Sequence, residues 1–318
     1  MEKEIVAIVG SGLVGKSWAM LFASGGHEVR LFDSIPEVLA GTPKFIHDKL
    51  HALEAKGQLK AHKLNATEQC KLITAATSLA DAVNGATYIQ ECTPENFEWK
   101  VKIFESIDKA LNEVGNTRAY IGSSTSTIMP SKFIANYGIK DRMLIAHPIN
   151  PPYFVKLVEL VPSEWTKPDV TTHVRALLTS LGMKPIVMNK ELPGFALNRV
   201  QYAILNETWR LVTDGILSVE DADIVMKEGL APRYVFLGPL ETAHLNADGF
   251  KDYCKRYGQV INDVSQDMGG IPLMTEDSCQ EIDRQLQDMV PNDKLPERRN
   301  WRDENLAELA TFKEKLGL

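Results

Sequence analysis

"IVAIVGSGLVGKSWAMLFASGGHEVRLFD", residues 5–33, decides the fold. A β-branched and small apolar run, Ile5 to Val9, enters a turn with glycines at 10, 12 and 15 and then a segment of helical spacing. A second apolar run, Val29 to Phe32, closes on Asp33. An ordinary strand-to-helix turn needs one glycine at most, so three at G-x-G-x-x-G spacing call for separate reasons. Gly10 permits the tight turn, Gly12 lets a pyrophosphate approach the helix-terminal N–H groups, and Gly15 lets helix pack closely on strand. That pattern alone is a weak signal. A strand before it, a helix after it and an acid 18 positions beyond the last glycine (33 − 15) make it strong. Leu13 and Val14, within the turn, complete the expected cofactor-binding stretch, and Asp33 is placed to accept hydrogen bonds from the adenosine ribose. Ser34, Ile35 and Pro36 offer no cation to a 2′-phosphate, which selects NAD over NADP.

At 318 residues the chain exceeds the usual reach of one hydrophobic core, so two domains are expected. Apolar residues at 44% and charged residues at 24% describe an ordinary globular protein rather than a disordered one. A formal charge of −7 without any Lys/Arg block argues against nucleic acid or an anionic membrane as partner. Any small anionic substrate must then meet a local basic group. Cys70, Cys92, Cys254 and Cys279 form no C-x-x-C pair and no zinc spacing, so we expect free thiols in a reducing compartment and no metal. The chain runs into its first strand without a cationic leader, and no apolar run approaches membrane-spanning length. A cytoplasmic location is expected.

Short β-rich runs recur at Ile5–Val9, Val29–Phe32, Tyr88–Cys92, Ala119–Ser123, Met143–Ala146 and Leu157–Val161, mostly separated by helical lengths. This alternation predicts an α/β fold, a Rossmann-type, mostly parallel sheet. Between the second and third runs, residues 37–77 read as a helical-hairpin insertion divided by "AKGQLKAHKLN". A last strand, "PIVMNK" (185–190), precedes "ELPGFALN", where Pro193-Gly194 breaks the pattern before a long helix. We therefore expect an NAD-binding domain over residues 1–191 and a smaller all-helical domain over 192–318. In the latter, Leu197, Val200, Ile204 and Leu211 recur at helical spacing, Gly215 stops the helix, and Ser218 with Asp221 starts the next. The tail "PERRNWRDENLAELATFKEKL" keeps Trp301, Leu309, Phe312 and Leu316 for one face, to pack on its own core or on a second copy.

Polar residues concentrate in "ECTPENFEWK" (91–100), "GSSTSTIMPS" (122–131), "AHPINPPYFVKLVELVP" (146–162) and "PGFALNRVQYAILNE" (193–207), at the ends of the later strands, where ligands sit in open sheets. Together with the glycine turn, this ordered set resembles the 3-hydroxyacyl-CoA dehydrogenase family over almost the whole chain. The resemblance implies a His-Glu pair: His147 as general base toward a substrate hydroxyl, and Glu159 fixing the imidazole tautomer and stabilising its cation. It also implies that Ser126 and Asn198 orient the reacting oxygen or its neighbours, and that Asn150 lies close to the reacting centre. Glu95 and Lys100 match positions that contact the cofactor's ribose and nicotinamide side, with helix-terminal roles equally open. A homodimer formed through the helical domain is expected from the family.

Departures from the family pattern bear on the substrate. The acyl-CoA enzymes follow the catalytic histidine with aromatic residues, whereas Pro148 and Ile149 follow it here, in "HPINPP". They also lack "APRYVF" before "GPLE", so Arg233 is an added cation, suited either to a free carboxylate or to a surface or subunit contact. The resemblance thus implies NAD-dependent oxidation of a free 3-hydroxy acid, L-gulonate to 3-dehydro-L-gulonate foremost. Carnitine or a short-chain 3-hydroxyacyl-CoA is the alternative substrate, and a structural lens role the alternative class. His47 and His51 stand i, i+4, but Asp48 replaces the glutamate a zincin helix requires, so solvated side chains are expected. His244 either lines the pocket or caps a helix.

Overall fold

Residues 2–60 and 63–318 are described by the computed structural model; Met1 and, within "AKGQLKAHKLN", Ala61 and His62 lie outside the described residues. Each expected strand run forms a strand: β1 (Ile5–Val9), β2 (Glu28–Phe32), β4 (Tyr88–Glu91), β5 (Tyr120–Ser123), β6 (Met143–Pro148), β7 (Leu157–Pro162) and β8 (Lys184–Val187). With β3 (Ile73–Ala75) they make one sheet in the order β3-β2-β1-β4-β5-β6-β7-β8. Neighbours run parallel throughout except β6 and β7, which are antiparallel. The short link between those two leaves no room for the helix a parallel crossover requires.

The sheet is covered on both faces, which explains why β1 reads as an unbroken apolar run. Val6 and Ile8 enter one core with Trp18, Leu21 and Phe22 of α1 (Leu13–Ser24), joined by α2 (Pro36–Ala55) and α6 (Pro168–Ser180). Ala7 and Val9 enter the other with α4 (Leu79–Val83) and with Phe104 and Ile107 of α5 (Phe97–Glu113). Leu21, Phe22 and Phe104 are wholly buried, and burial of such a side chain contributes about 1.5–3 kcal/mol. Strand order reverses at β1, so the carboxyl ends of β1 and β4 open the crevice where doubly wound sheets take ligands.

One expectation needs correction. The segment 37–77 does hold helices, α2 and α3 (Ala66–Lys71), yet it returns to the sheet: Val29, Arg30 and Leu31 pair with Ile73, Thr74 and Ala75 of β3. Three residues are too few to show a period of two. His147 lies at the end of β6, which runs through Pro148, and is in ladder register with Glu159.

The chain divides into two compact units, one of Met1–Arg199 with Leu306–Thr311, the other of Val200–Asn305 with Phe312–Leu318. The first division falls at Arg199, inside α7 (Leu197–Thr213). The remaining helices are α8 (Val219–Ile224), α9 (Ala231–Tyr234), α10 (Pro239–Leu245), α11 (Phe250–Asp267), α12 (Gln280–Met289) and α13 (Leu295–Lys315), with a π-helical stretch at Val225–Leu230. Ser218 caps α8, its hydroxyl accepting from the Asp221 amide at 3.1 Å. Val212, Val219 and Ala222 form a small core, while α11 buries none of its residues and exposes Phe250, Tyr257, Val260, Ile261 and Val264. Trp301, Phe312 and Leu316 of the tail are likewise exposed. Among the described residues no helix is long and apolar enough to cross a membrane.

Candidate active site

The glycine turn is built as its spacing demands. Gly10 sits at φ +98°, and a β-carbon there would come within 2.9 Å of the Cys92 carbonyl group. At Gly15 an added β-carbon would lie 1.9 Å from the Gly10 oxygen. A β-carbon on Gly12, by contrast, meets no protein atom within 4 Å, because that residue faces open space. Gly12 caps α1 without any side-chain acceptor, and the first turn carries no acid. Its terminal N–H groups are left for an outside anion, and the helix dipole favours one. Asp33 accepts from the Ser11 amide at 2.7 Å and from the Ile35 amide at 3.0 Å. A carboxylate retains further lone pairs beyond these, so a ribose hydroxyl can still be received.

A cavity of about 730 Å³ opens over this turn. Gly10, Gly12, Leu13, Val14 and Asp33 line it, and so do Glu95, Ser126, His147 and Asn150. Sequence reasoning passed over Ser124 and the α5 residues Trp99, Ile103 and Ser106, which also line it. Spacing of three to four residues along a helix, facing the Asp33 loop, was the signal that could have found the latter group.

His147 and Glu159 are opposed across the β6–β7 ladder, and the imidazole Nδ1 lies 2.8 Å from Glu159 Oε2. The other carboxylate oxygen accepts from the Ala196 and Leu197 amides, both at 2.8 Å, where α7 begins. Glu159 is fully buried. Burial alone raises its pKa, but the bonds from His147, Leu197 and Ala196 outweigh that and hold it below the ordinary value. The pair leaves Nε2 of His147 as the nitrogen available to a substrate, with 7% of the residue exposed.

Glu95 is gripped by the "STST" turn: Thr125 and Thr127 hydroxyls donate at 2.7 and 2.8 Å, and the Ser126 and Thr127 amides at 3.1 and 3.0 Å. Burial raises its pKa too, and again these bonds prevail and keep it depressed. Asn198 gives its amide to the Ser126 carbonyl at 2.9 Å and does not line the cavity. It holds the Ser126 turn in place. Beneath that turn, Gln90 Nε2 donates to Ser124 Oγ at 2.7 Å and to the Ala146 carbonyl at 3.2 Å, tying the floor to the residue before His147.

Lys100 requires correction. It is wholly buried, lies outside the cavity lining, and commits its ammonium to both Glu91 oxygens at 2.8 and 2.9 Å and to the Thr93 carbonyl at 2.9 Å. An ammonium has three donors, so none is left for a cofactor. Arg233 belongs to the second compact unit, is exposed, and donates to the Gly229 carbonyl at 3.2 Å. His244 accepts from the Phe250 amide at 3.0 Å, at the start of α11, which makes it a helix cap. His47 and His51 are paired with Asp48 and Glu54 on α2.

The family model for the 3-hydroxyacyl-CoA dehydrogenase NAD binding domain matches residues 5–192, and that for the 3-hydroxyacyl-CoA dehydrogenase C-terminal domain matches residues 194–269. Lambda-crystallin of Oryctolagus cuniculus is 44% identical over 98% of this chain and 97% of its own length. An L-carnitine dehydrogenase of Oceanobacillus iheyensis is 32% identical over 80% of this chain and 81% of its own. Among solved structures, a 5-formyl-3-hydroxy-2-methylpyridine 4-carboxylic acid 5-dehydrogenase, an NAD+-dependent dismutase, superposes with a TM-score of 0.81 at 24% identity, covering 99% of both chains. At that identity the likeness concerns the fold.

Proposed function

From the premise that the chain belongs to the 3-hydroxyacyl-CoA dehydrogenase family and binds NAD, we propose that it oxidises a free 3-hydroxy acid, L-gulonate to 3-dehydro-L-gulonate. The observation that carries the reading is the His147–Glu159 pair, 2.8 Å apart, whose imidazole lines the cavity that also takes in the glycine turn while the carboxylate lies buried behind it. NAD supplies the acceptor for the hydride that leaves the carbinol carbon. His147 Nε2 takes the hydroxyl proton, since Nδ1 is engaged by Glu159. The cation that forms on the ring is stabilised by the Glu159 carboxylate, whose own charge is steadied by the Ala196 and Leu197 amides. Ser126 and Asn150 orient the reacting oxygen and its neighbours, and Asn198 positions Ser126 through its carbonyl.

The free-acid reading draws on "HPINPP" after β6 and on Arg233, which we assign to the substrate carboxylate. Its rival is a carnitine or short-chain 3-hydroxyacyl-CoA substrate, favoured by the 32% identity to an L-carnitine dehydrogenase. A panel of L-gulonate, 3-hydroxybutyrate, L-carnitine and 3-hydroxybutyryl-CoA with NAD tests the assignment. L-gulonate is expected to give the highest kcat/KM, and Arg233→Met to raise its KM with a smaller change in kcat; turnover confined to the thioester overturns the proposal. A lens-type structural use is secondary, because bulk packing gives no reason for the Glu159 carboxylate to be braced behind His147. We also propose a cytoplasmic homodimer. The exposed apolar residues of α11 and the unpaired thiols of Cys70, Cys92, Cys254 and Cys279 support it, and a monomeric mass in sedimentation would remove the dimer.

A further inference from the structure

Gln90 of β4 is wholly buried, and the tyrosine it bonds, Tyr88, belongs to the apolar core that holds α1. An amide in such a place is costly unless its polar atoms are bonded. Its nitrogen donates to the Ala146 carbonyl at 3.2 Å and to Ser124 Oγ at 2.7 Å, while Oε1 accepts from the Tyr88 hydroxyl. A carbonyl oxygen can only accept, so the nitrogen end of the amide must face Ala146 and, with it, Ser124. The indole Nε1 of Trp18 can only donate, and it too meets Ser124 Oγ, at 3.2 Å. Gly122 leaves room for this arrangement: a β-carbon there would lie 2.2 Å from the Tyr88 hydroxyl and 2.7 Å from Gln90 Oε1.

Both lone pairs of the Ser124 hydroxyl are thereby taken by groups that can only donate, which leaves the hydroxyl a single role, that of donor. Beside it stands the Cys92 sulfur, at 3.3 Å. Loss of water around that thiol pushes its pKa up to about 12, so it remains neutral and a weak acceptor. Ser124 is partly exposed and lines the cavity together with Cys92 and His147. An oxygen acceptor brought into the cavity would draw the proton away from sulfur. Strand order says which acceptor. The diphosphate belongs to the glycine turn after β1, and the hydride acceptor must lie beside the carbon whose hydroxyl meets His147 on β6. Between those strands stand β4 and β5, and Ser124 directly follows β5. We infer that Ser124 donates directly to the carboxamide oxygen of the nicotinamide, its hydroxyl committed to that sense by Trp18 and Gln90. The inference rests on the proposed reaction, with NAD at the glycine turn, and titration of the unaltered protein tests that reading by itself.

The experiment is isothermal titration calorimetry of the unaltered protein and of Ser124→Ala with three ligands. These are NADH, its thionicotinamide analogue, in which sulfur replaces the carboxamide oxygen, and ADP-ribose, which lacks the ring. The unaltered protein is expected to bind the thio analogue several-fold more weakly than NADH, because sulfur accepts poorly. Ser124→Ala is expected to bind NADH roughly three- to tenfold more weakly, the scale of one hydrogen bond, to bind ADP-ribose as before, and to lose the preference for oxygen over sulfur. A residue that only braced the crevice would weaken NADH and ADP-ribose together, so the comparison within each protein separates contact from support. Removing the hydroxyl also leaves the Trp18 N–H unpaired; where Ser124→Ala does not fold, the thio comparison on the unaltered protein carries the test. Three results overturn the inference: equal losses for NADH and ADP-ribose, undiminished NADH affinity in folded Ser124→Ala, or an unaltered protein that binds the thio analogue as tightly as NADH. An unaltered protein that binds neither NADH nor ADP-ribose would instead overturn the cofactor reading, and the inference with it.

Discussion

At the scale of single residues, the site depends on how little each member signifies alone. A histidine before a proline is commonly a structural hydrogen-bonder, and a glutamate in "LVELVP" could face solvent from an edge strand. Their meaning came from the ordered set of motifs, and the ladder gives the physical reason, because His147 and Glu159 are direct cross-strand partners. For Lys100 the sequence leaves a cofactor contact and a helix-terminal role equally open, and three dimensions show its donors going to Glu91 and to the Thr93 carbonyl. For His147→Gln we expect kcat to fall by roughly 10²–10⁴, the contribution of a positioned general base, while NADH affinity measured by titration changes little. A loss of NADH binding of comparable size would place the imidazole on the cofactor instead.

At the scale of elements, the glycine turn was fully legible because steric demands of backbone on backbone leave so few residue types. Two of its glycines should behave oppositely when given a methyl group. Gly15→Ala must force its β-carbon against the Gly10 oxygen, 1.9 Å away, so strand and helix must part. We expect a large fall in Tm or insoluble protein. Gly12→Ala meets no protein atom, so its stability should stay within about 0.5 kcal/mol of the parent, as for an unstrained surface change, with NADH binding weakened several-fold. Equal NADH affinity in Gly12→Ala would show that the ligand does not lie against that turn. Strand β3 escaped detection because its three residues are fixed by the partner strand rather than by their own pattern. The antiparallel step at β7 was equally hidden in the apolar pattern, since strand direction depends on the length of the link.

At the scale of the whole molecule, the first unit could be read from its alternation of strand and helix, whereas the second offered only helical spacing. Local periodicity says that Leu197, Val200 and Ile204 share a face, but not what covers it. Charge adds a property of the whole. Burial raises the pKa of Glu4, Glu95 and Glu159, yet bonds from His173 and Thr87 to the first, from Thr125, Thr127 and Ser126 to the second, and from His147, Leu197 and Ala196 to the third leave all three depressed below 4.5. A carboxylate depressed in the folded state binds its proton more readily when unfolded, so its stabilisation is present above about pH 4.5 and is lost as pH falls through the folded value. Tm should therefore drop steeply below pH 4.5, and Glu95→Gln should flatten that limb. An unchanged acid limb would mean that Glu95 titrates alike in both states.

The link between β6 and β7 has a broader consequence. Pro148 and Asn150 reach the cavity from the end of one strand and the start of that link, while the reactive pair is held by the ladder itself. On the proposed reaction, Asn150→Ala is expected to change KM for the acid while leaving the His147–Glu159 pairing in place, as compared by steady-state kinetics. For that reaction, the part of the wall that would meet the acid and the pair that would move the proton are thus built on different stretches of chain.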